Sequence, residues 1–242
     1  MPALFRRRLV WWPTLTGSLI LAVAALLLFG WAGRGLAGFL SVNEPARGPG
    51  GEGAHTLVVE GWLERADLDQ ALAAIRRHGR YERVLTTGAP FESWDGEPVW
   101  PSHAERAAAY LRAHGAVGVP VIAVPAPASA QDRTFLSAVM VREWARRQGV
   151  ALQAIDVFSA GVHTRRSRWL YRLALGTDTE VGALAAAPRD GDPARWWAAS
   201  GSAKAVVGEA LGLAWTACCF WPPAQGSHEE RWAVPLKPSA AH

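Results

Sequence analysis

Lysine and cysteine are the scarce residues of this sequence, and several familiar catalytic signatures are missing from it. The two cysteines, Cys218 and Cys219, are neighbours, and adjacent residues do not readily take ordinary disulfide geometry, so no disulfide framework is expected. Within "LGLAWTACCFW" they read as small apolar side chains, not as a redox or metal pair. Neither a G-x-x-x-x-G-K-[ST] phosphate loop nor a G-x-S-x-G elbow is present, which removes support for a P-loop nucleotidase and for an α/β-hydrolase. Zinc-type Cys/His spacing is absent as well, and His103 and Glu105, two positions apart, do not share a helical face, so neither a metal nor a cofactor is expected. Lysine stands only at positions 204 and 237, and the arginines that supply the basic charge are spread over several helical patterns instead of gathering with aromatics. Nucleic acid is therefore not expected as a partner.

What is present is a greasy start on a globular chain. Half of the 242 residues are hydrophobic and 19% are charged, enough apolar material for a packed core. The formal net charge is +4, a modest excess that suits an anionic surface or an acidic ligand. Arg6, Arg7 and Arg8 precede residues 9–32, which carry no charge and have Trp11, Trp12 and Trp31 near their ends. A hydrocarbon core of roughly 30 Å takes about 20 apolar residues of helix, so this run is long enough to span. A cleaved signal peptide is the rival reading, but the run exceeds the usual length and "FGWAGRGLAG" offers no A-x-A cleavage site. Residues 1–40 thus read as a cytoplasmic stub and one transmembrane helix. Only Arg34 and Arg47 follow the span closely, so the positive-inside rule turns the C-terminal domain away from the cytoplasm, which in a bacterium makes a single-pass inner-membrane protein with its domain in the periplasm or on the outer surface.

Residues 41–55, "SVNEPARGPGGEGAH", are rich in Gly and Pro and read as a flexible linker. They contain G-x-G-x-x-G at Gly48, Gly50 and Gly53, but this precedes the first strand and includes a proline, which a dinucleotide fingerprint does not. Beyond the linker, the short apolar runs "TLVVEG" (56–61), "RVLTTG" (83–88), "VPVIAVPA" (119–126), "LQAIDVFSA" (152–160) and "TEVGALAA" (179–186) predict strands covered on both faces. Helical spacing separates them, in Leu68, Leu72 and Ile75, then Leu136, Met140 and Trp144, then Leu170, Leu173 and Ala174. His78–Gly79 and His114–Gly115 read as helix ends, with a cation followed by a left-handed glycine. The expectation is an α/β domain over residues 56–221, a Rossmann-like parallel sheet with helices on both faces, preceded by the transmembrane helix and followed by a weakly ordered tail over 222–242. "LGLAWTACCFW" is too short to span a bilayer.

Ligands of such sheets bind outside the carboxyl ends of the strands, which gathers Glu60, Gly61 and Trp62, Thr87 and Gly88, Arg133 and Thr134, and Ser159 and His163 on one rim. Turns need glycine and hydroxyl caps with or without a ligand, so Thr87, Gly88, Thr134 and Ser159 have an ordinary explanation too. Glu60 stands apart, because a carboxyl directly after "TLVV" ends a buried strand and needs a partner. In "VFSAGVHTRRSRWLY", His163, Arg165 and Arg166 crowd the start of a helix, where cations oppose the macrodipole at about 0.3–1 kcal/mol each. Three resolutions stand open: a bound anion, internal pairing with Glu60, Glu105 or Glu209, or solvated arginines.

The ordered set "TLVVEGW", "RVLTTGAP", "SHAERAAAYL", "QDRTFLSA", "FSAGVHTRRSRWLY" and "VVGEALGLAW" resembles the ElyC/SanA/YdcF family of bacterial proteins. The resemblance runs over residues 56–215 and implies a Rossmann-like fold, an N-terminal membrane segment and a role in cell-envelope biogenesis connected with peptidoglycan or its lipid-phosphate carrier. It aligns Thr87, Gly88, Glu105, Arg133, Thr134, Ser159, His163, Arg166 and Glu209 with the family's polar positions. Three functions follow as expectations. In the first, Arg133, Arg165 and Arg166 hold an anionic small molecule or lipid-linked phosphate, His163 and Glu60 are the catalytic candidates, and Glu60 and Glu105 orient the cations. In the second, the chain is a noncatalytic envelope scaffold that presents Trp62, Trp94 and Trp100 to a protein. In the third, it binds a nucleotide-type ligand, on analogy of fold alone.

Overall fold

The computed structural model describes residues 14–91, 99–116, 118–129, 132–188 and 192–231. Five strands, β1 (Thr56–Glu60), β2 (Arg83–Gly88), β3 (Val121–Pro125), β4 (Ala154–Ala160) and β5 (Glu180–Ala186), form one sheet in the order β3-β2-β1-β4-β5. Every neighbouring pair is parallel. The helices are α1 (Leu15–Leu40), α2 (Arg65–His78), α3 (His103–Ala113), α4 (Arg133–Gln148), α5 (Thr164–Leu175) and α6 (Ser200–Cys218). The continuous apolar runs lie in strands because both faces of the sheet are covered: α2 and α3 pack with Leu57, Val59 and Val84 in one core, α4 and α5 with Val58, Leu85, Ile155 and Val157 in the other. Gly79 caps α2 at φ 61, and His114 ends α3 with Nδ1 2.9 Å from the Tyr110 carbonyl, as the His–Gly pairs predict.

The chain runs outward from β1 through β2 to β3, then returns to place β4 on the other side of β1. This reversal makes the carboxyl ends of β1 and β4 the topological switch point, where the following helices diverge to opposite faces and leave a crevice.

Three expectations change. Residues 41–55 are fastened to the domain. Glu44 and Ala183 exchange backbone hydrogen bonds of 2.9 and 2.8 Å in an antiparallel bridge, the Ala46 amide donates to Asp156 Oδ1 at 2.7 Å, and the Arg47 and Gly48 amides donate to Glu180. A Gly/Pro-rich composition signals the lack of a periodic element and says nothing of partners, and here the exposed edge of β5 supplies them. The tail also returns to the domain within its described part: Glu230 is buried and accepts from Arg142 of α4 and from the Gly226 amide. Cys218 and Cys219 are exposed and joined to each other in a disulfide, where buried thiols were expected. Cys219 leaves helical geometry at the end of α6 (φ -135, ψ -8), which turns the two sulfurs together. Among the described residues no helix is long and apolar enough to cross a membrane, and residues 9–13, where the expected span begins, lie outside them. Arg6–8, Trp11 and Trp12 lie outside the described residues. Leu15, Leu19 and Ile20 of α1 are exposed, whereas Ala37 and Leu40 in its last turns are buried against the domain.

Candidate functional site

β1 carries its burial to its last residue, so Glu60 is only 2% exposed. A carboxyl taken from water this fully needs partners, and two hydroxyls supply them. Ser159 at the end of β4 donates to Glu60 Oε2, and Ser167 in the second turn of α5 donates to Oε1 at 2.9 Å. The chain then passes close under α3: the Gly61 amide donates to the Thr87 carbonyl at 2.6 Å, and a Cβ at Gly61 would lie 2.4 Å from the carbonyl oxygens of both Thr87 and His103. Arg106 fixes the same loop by donating from Nη2 to the carbonyls of Gly61 (2.8 Å) and Leu63 (2.9 Å). Held this way, Trp62 sets its ring edge-to-face on His163, with centroids 5.2 Å apart.

His163 ends a short 3-10 turn, Gly161–His163, that links β4 to α5, and it is nearly buried. Its Nδ1 lies 2.9 Å from Glu209 Oε1, while Nε2 points the other way, 3.7 Å from Glu60 Oε2 and 3.5 Å from the Thr134 hydroxyl. Arg166 Nη2, which can only donate, lies 3.0 Å from the same Nδ1, so that nitrogen meets an acceptor and a donor at once while Nε2 faces the Glu60 carboxyl and the Thr134 hydroxyl. Arg166 grips the same Glu209 carboxylate at two points, Nε to Oε2 at 2.8 Å and Nη2 to Oε1 at 3.1 Å. Burial pushes the Glu209 carboxyl up, but hydrogen bonds from His163 and Arg166 outweigh it and hold the group down at about 2. Burial raises the Asp132 carboxyl against the nearby Arg166 charge, and burial with the neighbouring Glu60 charge raises the Tyr171 phenol. The Tyr171 hydroxyl lies 3.3 Å from that of Thr87, placing Thr87 beneath the site as support.

Of the residues read from the sequence, Glu60, Gly61, Trp62, Thr87, Thr134, Ser159, His163, Arg166 and Glu209 come together at the β1/β4 crevice. Gly88 (φ 146) stands beside them as a close-packing position, where a Cβ would lie 2.7 Å from that of His103. Arg133 is exposed in the first turn of α4, next to Thr134. Two residues leave the group. Glu105 accepts from Ser102 at the start of α3, as a helix cap does, away from the cations of α5. Arg165 donates from Nε to the Phe39 carbonyl and lies 4.0 Å over the Phe39 ring at the end of α1. The cations of the α5 start are therefore answered inside the protein, Arg166 by Glu209 and Arg165 by Phe39. Trp100 is exposed near the rim, and Trp94 lies outside the described residues.

Ser167, Arg106 and Tyr171 escaped the sequence reading. Ser167 had a signal, since it follows His163 by four residues and thus shares its helical face; Arg106 bonds backbone carbonyls, which no side-chain pattern reveals. Among the described residues no group of His, Cys, Asp or Glu is placed to hold a metal ion. An open cleft of about 760 Å³ lies at the opposite end of the sheet, between the last turns of α4 and α5, away from these side chains. Comparison of the chain with protein-family models, with curated proteins and with solved structures gives no match.

Proposed function

We propose that this chain is a membrane-tethered α/β protein of cell-envelope biogenesis, akin to the ElyC/SanA/YdcF proteins, that binds a phosphate-bearing anionic ligand at the carboxyl rim of its sheet. The convergence of Glu60, Thr134, His163, Arg166 and Glu209 at the β1/β4 switch point supports this most, because ligands of open parallel sheets bind in that crevice. Arg133, exposed in the first turn of α4 beside the Thr134 hydroxyl and the first amides of that helix, is the arginine this reading assigns to the anion. Arg166 positions Glu209 and, through it, the His163 ring. The His163 Nε2, facing the crevice, is the atom at which such a site exchanges a proton with its ligand. The uncharged run of residues 9–32 supports the tether, and Arg6–8 before it support a domain on the periplasmic side. A tether confines the domain to the surface where a lipid-linked substrate resides.

Calorimetry of the full chain in detergent, with inorganic phosphate, undecaprenyl phosphate and a nucleotide, tests this reading. Binding is expected to weaken with added salt, to be lost in Arg133→Ala and His163→Ala, and to persist in Arg165→Ala. Equal binding by all three variants, or none by the wild type, rejects it. The exposure of Trp62 and Trp100 at the rim favours a second reading, an envelope scaffold for a protein partner. Partner capture that survives His163→Ala and fails in Trp62→Ala supports the scaffold.

A further inference from the structure

We infer that α6 is a second membrane contact, with its outward face lying in the interfacial layer of the bilayer beside the point where α1 leaves the domain. The inference rests on the tether proposed above. Residues 205–221 include one charged side chain, Glu209, and it turns inward to Arg166 and His163. The outward face is apolar: Val207, Leu211 and Trp215 recur at four-residue spacing and are 46%, 67% and 47% exposed, with Trp221 beyond them at 84%. A helix facing water carries polar residues on its outer side, as α4 does with Arg146 and Arg147, whereas a helix apolar on its outer side has something covering it.

The position of α6 identifies the cover. Ala37 and Leu40, from the last turns of α1, share one buried cluster with Val206 of α6, and Leu36, Ala210 and Leu213 pack against it. The short helical turn before α6 binds α1 as well, with Trp196 Nε1 donating to the Gly33 carbonyl at 2.8 Å and Arg34 lying 5.5 Å over the Trp197 ring. Upstream of this junction α1 exposes Leu15, Leu19, Ile20 and Leu21, so the two exposed apolar surfaces are joined through one buried seam. Trp197, Trp215 and Trp221 are the residue type that settles at headgroup level, and Lys204 and Arg34 bring cations to the same junction. With α6 on the bilayer, Glu209 and His163 sit about one helix diameter, roughly 10–12 Å, from the headgroups.

The test uses the full chain in phosphatidylcholine–phosphatidylglycerol vesicles, with Cys218→Ser and Cys219→Ser as background. An environment-sensitive fluorophore is placed at Leu211→Cys and, as the distant control, at Arg77→Cys on α2. The Leu211 label is expected to shift to the blue and to lose most of its emission when brominated lipid is present, while the Arg77 label does neither. Leu211 emission as unquenched as that of Arg77, in protein that floats with the vesicles, overturns the inference and leaves the tether standing. A disulfide-linked dimer formed by unlabelled Leu211→Cys in vesicles overturns it in favour of a second copy on this face. A chain that does not float with vesicles overturns tether and contact together.

Discussion

Arg166 and Glu209 face each other from α5 and α6 in a two-point ion pair, with N–O distances of 2.8 and 3.1 Å. The pair resolves a conflict at the start of α5, whose first turn contains no acidic residue to complement the helix dipole. Glu209 reaches over from α6 and, in the same gesture, sets the imidazole of His163. Charge compensation and orientation of the candidate base are thus one interaction.

The pair makes part of the stability pH-dependent. The Glu209 carboxyl, held at about 2 in the folded chain, stabilises the protein above the ordinary carboxylate range, and that contribution is lost as pH falls toward 2. Glu209→Gln is expected to cost on the order of 2–3 kcal/mol at pH 7 by urea denaturation, with the gap to wild type narrowing at pH 3. Glu44, lowered by its bond from Arg168, and Glu180, lowered by backbone amides of Arg47 and Gly48, are common to both proteins and drop out of the difference. A gap of equal size at both pH values contradicts the assignment.

Glu60 depends on two hydroxyls, so each has a measurable share. Ser167→Ala leaves Oε1 short of a donor in a buried setting and is expected to cost about 1–3 kcal/mol by thermal or chemical denaturation. Ser167→Ala combined with Ser159→Ala is expected to depart from additivity, because both hydroxyls serve one carboxyl. Strict additivity would show that Glu60 does not couple them.

Gly182 holds the place where residues 44–48 cross β5. A Cβ there would lie 2.0 Å from the Ala46 nitrogen and 2.2 Å from Asp156 Oδ1, so Gly182→Ala must displace the segment. The expected cost is about 1–3 kcal/mol, together with rapid tryptic cleavage after Arg47 that the wild type resists. Equal cleavage of the two proteins would mean that the segment is not held by these bonds.

The five strands were legible because burial on both faces writes itself as uninterrupted apolar runs, "TLVVE" most plainly, and the His–Gly pairs marked the ends of α2 and α3. Glu60 was legible for the converse reason, a carboxyl where only apolar residues belong. The partners of these groups were harder to read. That Glu209 and not Glu105 meets Arg166 follows from where α6 crosses α5, a matter of packing with no local pattern. The docking of residues 41–55 and the turn at Cys219 likewise depend on a sheet edge and a helix end that exist only once the chain is folded.

A phosphate-bearing ligand received in the His163 crevice would be felt first by the imidazole itself. In the full chain, labelled with ¹³C at histidine Cε1 and assigned by His163→Gln, the His163 signal is expected to move progressively as undecaprenyl phosphate is added, while those of His78 and His114 hold still. A His163 signal that stays in place under ligand concentrations at which calorimetry shows binding would contradict the account.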